Sequence, residues 1–340
     1  MFARISTRRF GAIGAAVTAA LCFALMIIFP EGCKKGAAEG LNLCLGVLVP
    51  SLFPFMAAAG LAVKLGLCRF GGSRLPLMPV MLLSLIGGYP VGAKAAAEMY
   101  RSGQLSESQA KTAAYCLVCA GPGFLLGFVG SMYGDETVGL IIYTAQAASV
   151  VLLTVGANIL FRNNKSPAAA VRFTPLPFGT ALVEAAHGAA VSMVSIGGLA
   201  VLFGAFGGIL DIVIQNEDVR RYLLSSLEVC TAVKLVGGCP IEFCAFAVGF
   251  GGLCVHFQIF AALGKLKINR LLFFFIRILQ GLITALLTHF GLRLFVRKTA
   301  VFSTAAVDSS GFFGGSALSG AALLTVAVCF LFTLRNQLRR

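Results

Sequence analysis

Apolar residues along this chain come in long runs, interrupted by glycine, proline and short charged clusters. Five runs are long enough to cross a bilayer as a helix: residues 10–29, 138–161, 191–214, 271–295 and 318–334. A further apolar stretch, 41–67, contains Pro50 and Pro54 in VPSLFPF. Each proline removes a backbone donor and crowds the preceding turn. The expectation there is a short interfacial helix, a bend at Pro50–Pro54, and a span to about Leu67.

Two regions do not read as simple spans. The first, 75–132, contains LIGGYPVGAK, the polar turn RSGQLSESQ, then YCLVCAGPGFLLGFVG. The second, 219–268, contains LLSSLEVCTAVKLVGGCPIEFC, then FAVGFGGLCVHFQIF. Each reads as two short helical arms around a tip, followed by a helix broken by glycines. In this alignment residues 87–90 match 228–231, and 120–123 match 249–252. Gly88 permits a sharp turn, and Pro90 opens the return arm where its missing donor costs little.

Short basic clusters suggest orientation, because cytoplasmic loops carry an excess of Lys and Arg. Arg4, Arg8 and Arg9 place the N-terminus in the cytoplasm, with Arg69 and Arg74 on the same side. Arg162, Lys165 and Arg172 return there, as do Lys265, Lys267 and Arg270. Lys34, Lys35, Arg220, Arg221, Arg293, Arg297 and Lys298 fall on the opposite side and count against this arrangement. The first hairpin then enters from inside and the second from outside. Inverted repeats with interrupted helices are the pattern of secondary transporters. The expected fold is therefore an all-α polytopic membrane protein with two inverted repeats, each holding a re-entrant helical hairpin and a broken helix. Its divisions are 1–74 (N-terminal spans and interfacial helix), 75–162 (first repeat core), 163–178 (cytoplasmic linker), 179–296 (second repeat) and 297–340 (C-terminal loop and last span).

Composition supports the membrane reading. The chain is 340 residues, 58% hydrophobic and 12% charged, with mean hydropathy +0.92. The run 10–29 has no small-residue cleavage site before Pro30 and reads as an uncleaved first span. Net charge is +14, but the basic residues lie in short clusters that suit anionic lipid rather than nucleic acid. The 11 cysteines sit mostly in apolar runs as small buried hydrophobes. Cys116 and Cys119 have no second cysteine pair or histidine cluster opposite them, so no metal site is expected. No phosphate-binding loop, nucleophile elbow or HExxH is present, which speaks against an enzyme or an ATP-driven pump.

Candidate chemistry lies at the tips and breaks: Gly87, Gly88, Tyr89, Pro90 and Lys94 in the first half, with Gly121 at its break. Lys94 and Glu98 are four apart and form a helical pair or leave Lys94 for an anion. Glu228 and Thr231 sit at the second tip, with Lys234 beyond. Glu228 is a candidate for coupling to Na+ or H+, with Lys234 as the alternative partner; Glu242 is weaker. No organic cofactor is implied. Ser84 and Gln146 offer neutral hydrogen bonds, and His187 and His289 read as structural.

The runs PSLFPF, GGYPVGAK, AGP (within 120–123) and GFGGLCVHFQ resemble the YlbJ-type sporulation integral membrane proteins. These belong to the nucleoside-recognition, or gate-domain, superfamily, which is similar to concentrative nucleoside transporters. The resemblance covers roughly 41–268. It implies a midplane site between two inverted repeats, a role in spore formation, and dipicolinate as substrate. It also implies that Gly251, His256 and Gln258 line the site. His256 and Gln258 share a face only if the helix unwinds between them. The second tip reads EVCT where a Thr–Gly-rich tip is the family pattern. The sequence reading is a transporter or facilitator of a small carboxylate-bearing anion. The alternatives are a nucleoside carrier, and a scaffold or gate subunit acting with its own copies or a sporulation membrane partner.

Overall fold

The computed structural model describes residues 2–69, 75–160, 174–230 and 239–295. Thr231, Lys234, Arg74, the 318–334 span, most of the 163–178 linker and the basic groups at 162, 165, 172, 297 and 298 lie outside the described residues.

Every element among the described residues is helical. In chain order they are α1 (Phe2–Ile28), α2 (Pro30–Leu43), α3 (Val49–Lys64), α4 (Met78–Gly87), α5 (Tyr89–Arg101), α6 (Glu107–Cys116), α7 (Gly130–Tyr133) and α8 (Glu136–Leu160). There follow α9 (Phe178–Val213), α10 (Glu217–Leu227), α11 (Ile241–Phe250), α12 (Gly252–Leu263) and α13 (Arg270–Phe295). Five stretches are long and apolar enough to cross a membrane: Pro30–Lys64, Glu136–Ile159, Phe178–Val213, Ile241–Leu263 and Arg270–Leu294.

Two expectations need correction. The first is the bend at Pro50–Pro54. Helix α3 runs through Pro54, and the disturbance lies upstream, as a π-helical turn at Cys44–Leu48 joining α2 to α3. Pro50 offers no hydrogen to the carbonyl four residues earlier, so the helix widens there instead of bending. The Ser51 hydroxyl donates to the Val47 carbonyl at 2.5 Å and so occupies an acceptor in the widened turn. The second is the 191–214 span, which is the C-terminal part of a 36-residue helix, α9. Ala181, Ala185, Ala189, Met193, Ile196 and Ala200 keep one buried stripe along it. At 1.5 Å per residue α9 is about 54 Å long, well beyond the roughly 30 Å hydrocarbon core. Its first turns therefore carry Glu184 and His187 at little cost.

Helix contacts are made by small residues, since apolar surface gains little from leaving lipid for protein. Gly32, Gly36 and Gly40 of α2 lie directly against the backbone of Ala200, Gly204 and Gly208 of α9. Gly249 of α11 meets Gly281 of α13 in the same way, with a Cβ on Gly249 falling 2.7 Å from the Gly281 Cα. Helix α13 divides sharply: Leu271, Phe275, Leu279, Leu282, Leu286 and Phe290 are exposed, while Phe273, Arg277, Gln280, Thr284 and Thr288 are buried. It is apolar toward lipid and polar toward the protein.

Helix α6 begins with a capping box. The Ser106 hydroxyl accepts from the Gln109 N–H at 3.3 Å, and the Gln109 side chain accepts from the Ser106 N–H at 2.9 Å. Ser106→Ala is expected to cost about 1 kcal/mol, read as a modestly lower melting midpoint in detergent.

Candidate functional site

The first hairpin turns on one residue. Gly88 joins α4 to α5 at φ +86° and ψ −171°, a conformation essentially restricted to glycine. Pro90 then sits in the first turn of α5, where no helical donor is lost. Gly87, Gly88, Tyr89 and Pro90 are all buried. The tip rests on the break after α6: a Cβ on Gly88 would lie 3.0 Å from the Gly121 nitrogen. Residues 117–121 are not helical, so their peptide groups need partners from elsewhere. Side chains of three helices supply them. Ser84 of α4 donates to the Leu117 carbonyl at 2.5 Å. Gln146 of α8 accepts from the Ala120 N–H at 3.0 Å. Arg277 and Gln280 of α13 donate to the Val118 carbonyl at 2.7 and 2.8 Å.

The second break has the same plan. Helix α11 stops at Gly251 (φ +88°), and α12 begins at Gly252 (φ +66°). The turn after α10 rests on it, because a Cβ on Gly252 would lie 3.2 Å from both the Leu227 oxygen and the Val229 nitrogen. Glu228 occupies that turn in extended backbone, 8% exposed. The last carbonyls of α11 are again held by side chains from other helices. Tyr89 of the first tip donates to Val248 at 2.5 Å, and Gln146 donates to the same carbonyl at 3.3 Å. Arg277 donates through Nε to Phe250 at 3.2 Å and through Nη2 to Gly249.

Arg277 therefore bridges the two breaks. It is completely buried. Its Nη1 also donates to the Gln280 Oε1 at 2.5 Å. Among the described residues no carboxylate lies within 4.0 Å of the guanidinium. All its partners are neutral carbonyl and amide oxygens, so its positive charge has no counter-charge there.

The remaining candidates are distributed around this centre. Lys94 does not pair with Glu98. It donates to the Gly188 carbonyl and to the Ser192 hydroxyl at 2.9 Å, tying α5 to α9. Glu98 instead faces Lys64 at 3.8 Å, and Lys64 makes its shorter contact, 2.7 Å, with Glu184. Glu98 thus pairs across to α3 instead of along α5, because Lys94 is already engaged by α9. His256 and Gln258 are both buried, but α12 is continuous through them and they occupy different faces. The break that would have brought them together lies upstream, at Gly251. Gln258 turns to Cys254 at 3.4 Å. His256 packs among Phe250, Phe273 and Phe274, with ring centroids at 4.7, 5.1 and 6.0 Å. Glu242 pairs with His289 at 2.9 Å, linking α11 to α13 away from the breaks.

The chain is similar to the sporulation integral membrane protein YlbJ of Bacillus subtilis (strain 168). The two are 25% identical over 319 residues, which cover 77% of this chain and 78% of that protein. No family model and no solved structure matches the chain. The resemblance carried by the motifs is thus found over most of the length. Together with the five candidate spans it makes this a multi-pass membrane protein.

Arg277 and Gln280 were missed in the sequence, although a signal for them exists. Arg277, Gln280, Thr284 and Thr288 recur at helical spacing within an otherwise apolar span. An ionisable residue inside such a segment marks a functional site by default. The companion pair on α8, Gln146 and Ser149, follows the same spacing and meets α13 where Thr284 donates to Ser149 at 3.2 Å.

Proposed function

We propose that this chain is a secondary transporter or facilitator of small carboxylate-bearing anions, with dipicolinate as the first substrate to test. The observation that carries the proposal is Arg277: a buried cation, without a carboxylate partner among the described residues, at the meeting point of two broken helices. A guanidinium presents a planar fork that matches a carboxylate better than it matches separate carbonyls. A substrate carboxylate would take over donors now given to Val118, Gly249 and Phe250 and so loosen one half of the protein from the other.

The two tip-on-break contacts, Gly88 on Gly121 and 227–229 on Gly252, support reading the halves as inverted, re-entrant repeats that rock about the site. In this reading the N-terminus, with Arg4, Arg8 and Arg9, lies on the cytoplasmic side of the cell membrane, which the excess of basic residues there supports. The similarity to a protein named for sporulation supports a carboxylate moved during spore formation. Lys94, held by α9, positions the hairpin arm in this reading and leaves the counter-charge to Arg277.

The test is direct binding of dipicolinate to the purified chain in detergent, with uridine as competitor and as separate ligand. Saturable dipicolinate binding unaffected by uridine is expected. Arg277→Lys keeps the charge but loses the fork, and should weaken binding roughly tenfold to a hundredfold. Lys94→Ala should change it little. Uridine binding in place of dipicolinate would point to a nucleoside carrier. Binding of neither by folded protein would point to a scaffold.

A further inference from the structure

One buried polar atom beside the breaks is left without a partner among the described residues. His256 is 3% exposed, and its Nδ1 lies 2.5 Å from the Gly252 carbonyl. A carbonyl only accepts, so Nδ1 carries the hydrogen and Nε2 carries a bare lone pair. Among the described residues no hydrogen-bond partner reaches that Nε2. The imidazole ring packs among Phe250, Phe273 and Phe274. Phe250 is the residue whose carbonyl Arg277 holds, and Phe273 and Phe274 lie on α13 one turn before Arg277. The second break thus joins a fixed cation, without a counter-charge among the described residues, and an imidazole with a vacant proton site.

We propose that His256 is the coupling group of the transport cycle: it takes up one proton at Nε2 when an anion occupies Arg277, and anion and proton cross together. This rests on the anion reading above and specifies the ion that accompanies the substrate. The physical link is charge. While the guanidinium is uncompensated, a second positive charge at the same break is opposed; an anion on Arg277 removes that opposition and itself attracts the proton. The proton forms the Nε2–H bond from the solution on the loading side and is returned to solution on the other side when the anion leaves.

The charged groups of α5 and α9 are turned elsewhere. Helix α5 gives Tyr89 to the Val248 carbonyl and directs Lys94 and Glu98 toward α9 and α3. On α9, Glu184 and Asp211 face Lys64 and Arg220. The turn after α10 carries Glu228, whose backbone lies against Gly252 at the same break. Arg277 and His256 hold neighbouring carbonyls of the second break, Arg277 those of Gly249 and Phe250 and His256 that of Gly252.

The experiment is calorimetric titration of the full-length chain with dipicolinate in buffers of different ionisation heat, which counts protons taken up per anion bound. At about pH 7.5 dipicolinate itself is fully ionised, so the count belongs to the protein. The wild type should take up about one proton per anion. His256→Asn retains an amide donor for the Gly252 carbonyl but has no titrating nitrogen, and its count should fall to about zero. Should that variant fail to fold, His256→Gln, whose amide reaches the Nε2 position, serves instead. A wild type that binds dipicolinate with no proton uptake would overturn the coupling role and leave the anion reading standing. An unchanged count in the folded variant would do the same. Absence of dipicolinate binding in the wild type would sink the anion reading, and the coupling role with it.

Discussion

Arg277→Met is expected to destabilise the protein by on the order of 3–5 kcal/mol, enough to lose most of the monodisperse material in detergent. Methionine fills a similar volume and removes the buried charge, which by itself relieves a desolvation cost. The loss arises from what remains. The Val118 carbonyl keeps Gln280 as a donor, but the Gly249 and Phe250 carbonyls and the Gln280 Oε1 each lose the guanidinium. Each orphaned acceptor costs about 1–3 kcal/mol in a water-poor interior. Fluorescence-detected gel filtration after stepwise heating reads the effect. A variant that melts with the wild type would show that these acceptors find other donors, and Arg277 would no longer count as the joint between the breaks.

That joint explains how the sequence reading went as far as it did. The breaks were legible because glycine and proline are local signals. Gly88 and Gly251 stand at positive φ where their surroundings in the sequence suggested a turn. What pairs with a broken backbone is not local. Val118 and Gly249 are joined through a residue 28 positions beyond Gly249 and 159 beyond Val118, so no window of sequence contains the contact. The glycine seam of α2 was hidden for another reason. Gly32, Gly36 and Gly40 alternate with Glu31, Lys34, Lys35 and Glu39, and the charges set the segment apart from the apolar runs on either side of it. The spacing of four, matched by Ala200, Gly204 and Gly208, was the stronger signal, because close backbone approach drives association among membrane helices. Lys94 misled in the opposite sense. Its i,i+4 carboxylate looked like a ready partner, but such pairs gain only a few tenths of a kcal/mol, roughly 0.2–0.5. Lys64 from another helix outcompetes it readily.

The first tip offers the sharpest separation of stability from binding. Gly88→Ala places a side chain at φ +86°, ψ −171°, with backbone strain of about 1–3 kcal/mol. Its Cβ would also lie 3.0 Å from the Gly121 nitrogen. That neighbour is backbone and cannot swing aside as a side chain would. The tip must lift from the break, drawing Tyr89 away from the Val248 carbonyl. Strain and displacement together should cost about 2–4 kcal/mol. Gly127→Ala is the matched control, because a Cβ there meets nothing within 4 Å. It should be neutral or stabilising by about 0.5–1 kcal/mol. Melting midpoints of the two variants in the same detergent measure the stability difference, and dipicolinate titration at a temperature where both are folded measures the rest. A tip that only holds the fold predicts normal affinity in whatever Gly88→Ala protein remains folded. A tip that forms part of the site predicts weakened binding even there, since displacing Tyr89 leaves the Val248 carbonyl to the longer Gln146 contact and shifts the acceptors that Arg277 must release. Normal affinity in folded Gly88→Ala would place the anion away from the first hairpin, with only the second break and α13 left to hold it.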